Sequence, residues 1–111
     1  MKIYISIPIS RKSFYPQYAK ATEIAEQIRA LGHEPVNPFD TLEPPAGLTE
    51  KERYAHFMGE DVKRLLMSDA IFMCKDWGES KGCKAEFDIA RVYGFKIFDC
   101  ITDIPASCPQ Q

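Results

Sequence analysis

The spacing of apolar residues divides the chain into alternating strand-like and helix-like stretches. Residues 2–7 (KIYISI) form a short, largely apolar run that stops at Pro8 and read as a strand. Its apolar character places it centrally in a sheet covered on both faces. A loop carrying Ser10, Arg11, Lys12 and Ser13 follows. It leads to a helical pattern over 17–31, with Ala21, Ile24, Ala25, Ile28 and Leu31 on one side and Gly32 as its stop. Residues 33–38 (HEPVNP) give a second short strand, and 39–48, with Pro44, Pro45 and Gly47, a loop. Thr49 and Glu52 have the spacing of a capping box. They open a helix to about Met67 whose inward face is Tyr54, Phe57, Met58, Asp61, Val62 and Leu65. Residues 69–74 (DAIFMC) and 95–100 (FKIFDC) read as strands. Between them Ser80 is placed to cap a helix on which Gly82, Ala85, Glu86, Ile89, Ala90 and Tyr93 share one face.

Strands and helices thus alternate, which predicts a three-layer α/β fold with a mostly parallel sheet of four to five strands. Residues 1–101 form the expected domain, and 102–111 an irregular tail with two prolines. Ligands of such sheets sit outside the carboxyl ends of the strands, where strand order reverses. The loops after Ile7, Asn37 and Cys74 would meet there, beside the start of the last helix.

Two acids break the apolar stripes. Glu86 and Asp61 both fall on inward helix faces, where an unpaired carboxylate costs several kcal/mol. One reading pairs them in a cavity as nucleophile and as acid or substrate-orienting group; the other satisfies each with a core arginine, such as Arg64 or Arg91, or a backbone donor. Ser80 could offer its hydroxyl and nearby N–H groups to an anion, or act as a plain cap. Ser10 and Arg11 follow the first strand, where phosphate is often gripped, but no glycine-rich phosphate motif is present. Tyr4 is a core residue whose hydroxyl requires a partner. Asn37 and Asp40 stand at a strand end, suited to a turn or a ligand contact. Trp77 is suited to stacking on a base or anchoring an interface.

Charge and cysteines narrow the class. A net charge of −2 with scattered basic residues gives no surface for a nucleic-acid polymer. Cysteines at 74, 83, 100 and 108, with only His33 and His56, lack the spacing of a zinc site. Cys74 and Cys100 are expected to be buried thiols. Cys83, at a helix start, is read as structural although such a place can acidify a thiol. No run approaches a membrane span and the amino end lacks a signal-peptide layout, so a cytoplasmic location is expected.

Several stretches together resemble nucleoside 2-deoxyribosyltransferase-like proteins: KIYISIP, GHEPVNPFD, D-x-x-x-L over Asp61–Leu65, SDAIF at 68–72, and W-x-x-S-x-G-x-x-x-E at 77–86. The likeness covers about residues 2–99 and extends to short bacterial and phage members and to 2'-deoxynucleoside 5'-phosphate N-hydrolases. It implies a flavodoxin-like strand order 2-1-3-4 and cleavage of the N-glycosidic bond of a deoxynucleoside or its 5'-monophosphate, by hydrolysis or transfer. Glu86 would attack the anomeric carbon and Asp61 would contact the departing base. Ser80, where the transferases usually carry aspartate, leans toward a 5'-phosphate, and Gly82 belongs to the substrate-binding motif. Ile7 stands where the family often has glycine and is expected to narrow the pocket. The resemblance implies a small-molecule nucleoside or nucleotide partner, no cofactor or metal, and a homo-oligomer. The alternative is a non-catalytic nucleotide-binding or sensing module of the same fold.

Overall fold

Side-chain alternation along the first strand sets the layers. In a computed structural model describing residues 1–9 and 14–107, that strand is β1 (Lys2–Ser6). It is followed by α1 (Phe14–Ala30), β2 (Glu34–Val36), α2 (Glu50–Leu66), β3 (Ala70–Met73), α3 (Lys81–Val92) and β4 (Lys96–Phe98). The four strands pair in parallel in the order β2-β1-β3-β4. This is the predicted α/β architecture and strand order, with β1 central and four strands in the sheet.

The step from β1 to β2 runs opposite to the step from β2 to β3. Right-handed crossovers therefore put α1 on one face and α2 and α3 on the other. Ile3, Ile5 and Ile7 pack with Ala70, Phe72 and Cys74 against Ala21, Ala25 and Ile28 of α1. Tyr4, Ile71 and Met73 point the other way, to Leu65 of α2 and to Cys83 and Ala90 of α3. The crevice at the carboxyl ends of β1 and β3 is the switch point where such folds hold ligands. Asp69 marks the opposite end: its Oδ2 accepts from the Lys2 amide at 2.7 Å, pinning the starts of β1 and β3 together.

Local chemistry explains the element ends. The Thr49–Glu52 capping box is present, with the Thr49 amide donating to Glu52 at 2.8 Å and the Glu52 amide to Thr49 Oγ1 at 3.1 Å. Helix α1 begins at Phe14, before the expected Gln17. Pro16 does not prevent this, because first-turn amides have no intrahelical acceptor to lose.

Two expected helix faces and one expected buried thiol need correction. Among the residues assigned to the inward side of α2, only Leu65 is fully buried, and Tyr54 is exposed. On α3 the buried stripe is Cys83, Glu86 and Ala90; Ala85 lies on the exposed flank, and Tyr93 caps the end and is exposed. Cys74 is buried as expected, but Cys100 is exposed beyond the short β4. Among the described residues no helix is long and apolar enough to cross a membrane.

The described part of the segment after residue 101 packs on the α1 side. Ile104 joins that core, His33 Nε2 bonds the Pro105 carbonyl at 2.6 Å, and the Ser107 amide donates to the Leu31 carbonyl at 2.7 Å. Gly32 makes this approach possible: it has φ +88°, and a Cβ there would stand 2.7 Å from Ser107 Cβ. Gly32→Ala is expected to cost about 1–3 kcal/mol, from the left-handed backbone and the clash. Urea denaturation measures the loss; an unchanged midpoint would contradict it.

Candidate active site

The alternation that buries Ile3 and Ile5 on one face turns Tyr4 and Ser6 to the other, toward α3. Glu86, on the buried stripe of α3, is 4% exposed. Its two carboxylate oxygens are held separately. The Tyr4 hydroxyl donates to Oε2 at 2.8 Å, and the Ser6 hydroxyl donates to Oε1 at 2.7 Å. Neither donor is charged, so among the described residues the acid carries its burial without a counter-ion in contact. Burial pushes the Glu86 carboxyl up from 4.5 to about 7; the Ser6 and Tyr4 hydrogen bonds oppose the shift, and the nearby Asp61 charge adds to it.

Asp61 is the second member of the cluster. Thr41 Oγ1 donates to Asp61 Oδ1 at 3.2 Å and accepts from Arg64 Nη1 at 2.9 Å. Burial again dominates, raising Asp61 to about 6, while the Thr41 hydrogen bond and the Arg64 charge hold it down. Tyr4 lies between the two acids. Its phenol is raised well above the usual range by burial first, then by Glu86 and Asp61. Neither arginine named for the core-network reading neutralises Glu86: Arg91 Nη2 reaches Asp88 at 3.5 Å, and Arg64 Nη1 reaches Thr41 at 2.9 Å.

Ser80 caps α3, accepting from the Cys83 amide at 3.2 Å. Gly82 stands at the crevice between α2 and α3. A Cβ there would lie 3.6 Å from Met58 Sδ, 3.7 Å from Tyr54 Oη and 3.8 Å from Ser80 Oγ. Those are ordinary contacts, so the crevice does not demand glycine. Cys83 is buried, and burial raises its thiol, countering the acidification that a helix start could give.

The other expected residues divide. Ile7 is buried in the α1-side core, one pleat step out of register with Tyr4 and Ser6. Its side chain therefore does not narrow the Glu86 side, which corrects its expected place in the pocket. Trp77 stacks on Phe87 of α3, with ring centres 4.6 Å apart. Asn37 forms the turn at the end of β2, where its side chain accepts from the Phe39 amide at 3.0 Å. Ser10 and Arg11 lie outside the described residues. Asp40 lines two open hollows. One, of ≈ 450 Å³, is bounded by Asp40, Thr41, Leu42, His56, Glu60 and Arg64. The other lies along the β2 edge, between Lys2, Glu34 and Arg64. Glu86 and Ser80 line neither; the first hollow meets the cluster through Thr41.

Sequence reasoning passed over Ser6 and Thr41. The signal for Ser6 was available: a serine two residues after Tyr4, within an otherwise apolar strand, must share the tyrosine's face. Thr41 had no such signal, because it sits in irregular backbone after the 3-10 turn Pro38–Asp40.

This arrangement defines a 2-deoxyribosyltransferase-like fold. The model of a domain of unknown function, DUF4406, matches residues 1–99, and the chain belongs to that family. No curated protein matches the sequence. The structure is similar to a 2-deoxyribosyltransferase from the psychrotolerant bacterium Bacillus psychrosaccharolyticus, with 18% identity and a TM-score of 0.67 over 87% of this chain and 69% of that one. It is equally similar to a conserved protein from Enterococcus faecalis V583, with 20% identity and a TM-score of 0.67 over 87% of this chain; there it spans 60% of the other chain's length.

Proposed function

We propose that the protein cleaves the N-glycosidic bond of a deoxynucleoside or deoxynucleoside 5'-monophosphate, by hydrolysis or by deoxyribosyl transfer. One observation carries the reading: a buried carboxylate at the switch point, held at 2.7 and 2.8 Å by two neutral hydroxyls. A Glu86 oxygen attacks the anomeric carbon as its bond to the base nitrogen breaks. The bonding pair leaves with the base, which takes a proton from the Asp61 carboxyl. Water, or a second base, then displaces the glutamate, and its proton returns to Asp61. Low dielectric strengthens the carboxylate's attraction to the developing oxocarbenium charge.

The supporting features follow the chemistry. The hollow bounded by Thr41, whose hydroxyl donates to Asp61, has the size of a nucleoside site. Ser80 stands near the helix start that would receive a 5'-phosphate, and Gly82 leaves that approach open. Residues 1–101 would be the working domain in the cytoplasm, with 102–111 a tail whose described part packs back beside α1, and no bound cofactor. A homo-oligomer is part of the proposal: Phe57, Met58 and Val62 of α2 are only half-buried and Tyr54 is exposed, leaving apolar surface for a second copy.

The test is incubation with deoxynucleosides, their 5'-monophosphates and the ribose counterparts, with free base followed by chromatography. Base release from a deoxy substrate is expected; none from any of them would overturn the reading. A second reading draws on the occupancy of both Glu86 oxygens: a binding or sensing module without turnover. Calorimetric nucleotide binding with no base released would establish it.

A further inference from the structure

We propose that Ser6 is the positioning residue of this site: its hydroxyl orients Oε1 of Glu86 and keeps the carboxylate available for attack. The inference rests on the reading of Glu86 as nucleophile, and it names a residue outside the resemblance motifs' expected roles.

The geometry assigns the part. Ser6 is fully buried at the end of β1, where parallel ladders to β3 fix its backbone. Its hydroxyl has one proton, and at 2.7 Å that proton lies on Oε1. The Cys83 thiol packs with Tyr4 in the same buried cluster, and burial keeps it neutral, so it carries no charge that would draw the Ser6 proton away from Glu86. Tyr4 holds Oε2 independently, and it also feels Asp61. Ser6 is thus the donor dedicated to Glu86. Among the described residues, the charged and titratable groups facing Glu86 from the packed elements are Tyr4 on β1, Asp61 on α2 and Cys83 on α3.

Removing this donor withdraws a hydrogen bond that favours the charged form. Ser6→Ala is therefore expected to raise the Glu86 titration by about one to two pH units. Carbon-13 NMR of side-chain carboxyls reads it without substrate. Activity at pH 7 should fall roughly tenfold or more and recover as the pH is raised, because the acid limb of kcat/KM moves with the carboxyl. Ser6→Cys, similar in size but a weaker donor, should fall between wild type and alanine on both scales. It supplies the same readouts if the alanine variant does not fold. A folded variant whose Glu86 titrates as in wild type would overturn the proposal. Failure of base release in wild type, with the NMR shift present, would instead strike the enzymatic reading and leave the Ser6–Glu86 coupling standing.

Discussion

Glu86→Gln is expected to lower the rate of base release by about a thousandfold or more, with the fold intact. Glutamine keeps the shape and loses the charge. Its carbonyl accepts from one hydroxyl, and its amide donates to the other, which rotates to receive it. The contacts at 2.7 and 2.8 Å therefore survive in altered polarity. What disappears is the nucleophile and the anion facing the developing cation. Glu86→Ala is a poorer probe, because it leaves two buried hydroxyls without an acceptor. Asp61→Asn should act differently, slowing substrates with poor leaving bases more than those with good ones, since its part is to protonate the base. Initial rates on matched substrates separate the two variants.

The second large effect is on stability. Glu86 is raised from 4.5 to about 7 by burial, so the folded protein holds a proton there that the unfolded chain has released. Between about pH 4.5 and pH 7 the native state binds more protons than the unfolded state, and stability falls as pH rises. The displacement corresponds to about 3 kcal/mol, lost as pH rises and fully absent above the folded value. Asp61, raised from 3.8 to about 6, adds a fall of the same sign that ends nearer pH 6. Glu86→Gln removes the first of these. At pH 8 the variant should be more stable than wild type relative to the difference at pH 4.5, and its own pH dependence flatter. Urea midpoints across that range measure both. A wild type and variant that run parallel from pH 4.5 to pH 8 would mean that Glu86 is ionised without cost, and hence not buried.

The same acid that weakens the fold at neutral pH is the one placed for chemistry. Stability and reactivity are opposed through one side chain, as is common where a site is preorganised in low dielectric. The two hydroxyls hold that conflict in balance. They lower the Glu86 titration from where burial alone would leave it, and they do so as neutral groups.

Much of this was legible in the chain. Thr49 with Glu52, Ser80 with the following helix, and Gly32 as a stop mark their elements by local hydrogen bonding and backbone geometry, which sequence spacing records directly. The inward place of Glu86 followed from helical period. The finer faces were harder. Ala85 and Tyr93 lie close to the stripe on a helical wheel, but α3 ends before Tyr93, so that ring meets solvent and Cys83 fills the face instead. Ile7 was read as lining the pocket, yet pleat parity sends it with Ile3 and Ile5 to the α1 side. Strand alternation carried that information, as it carried Ser6. Trp77 was free on paper, but its stacking on Phe87 depends on how the β3–α3 connection folds back, with Asp76 at φ 70° turning the chain. Thr41 depends on a loop crossing to α2, a tertiary contact that no local pattern encodes.

Acid-quenched protein, mixed with a cleavable deoxynucleotide and mapped by peptide mass spectrometry, tests the role of Glu86 most directly. A deoxyribosyl adduct on the peptide containing Glu86, absent from Glu86→Gln, is the expected result. Base release that continues undiminished in Glu86→Gln, or an adduct carried by a different side chain, would contradict it.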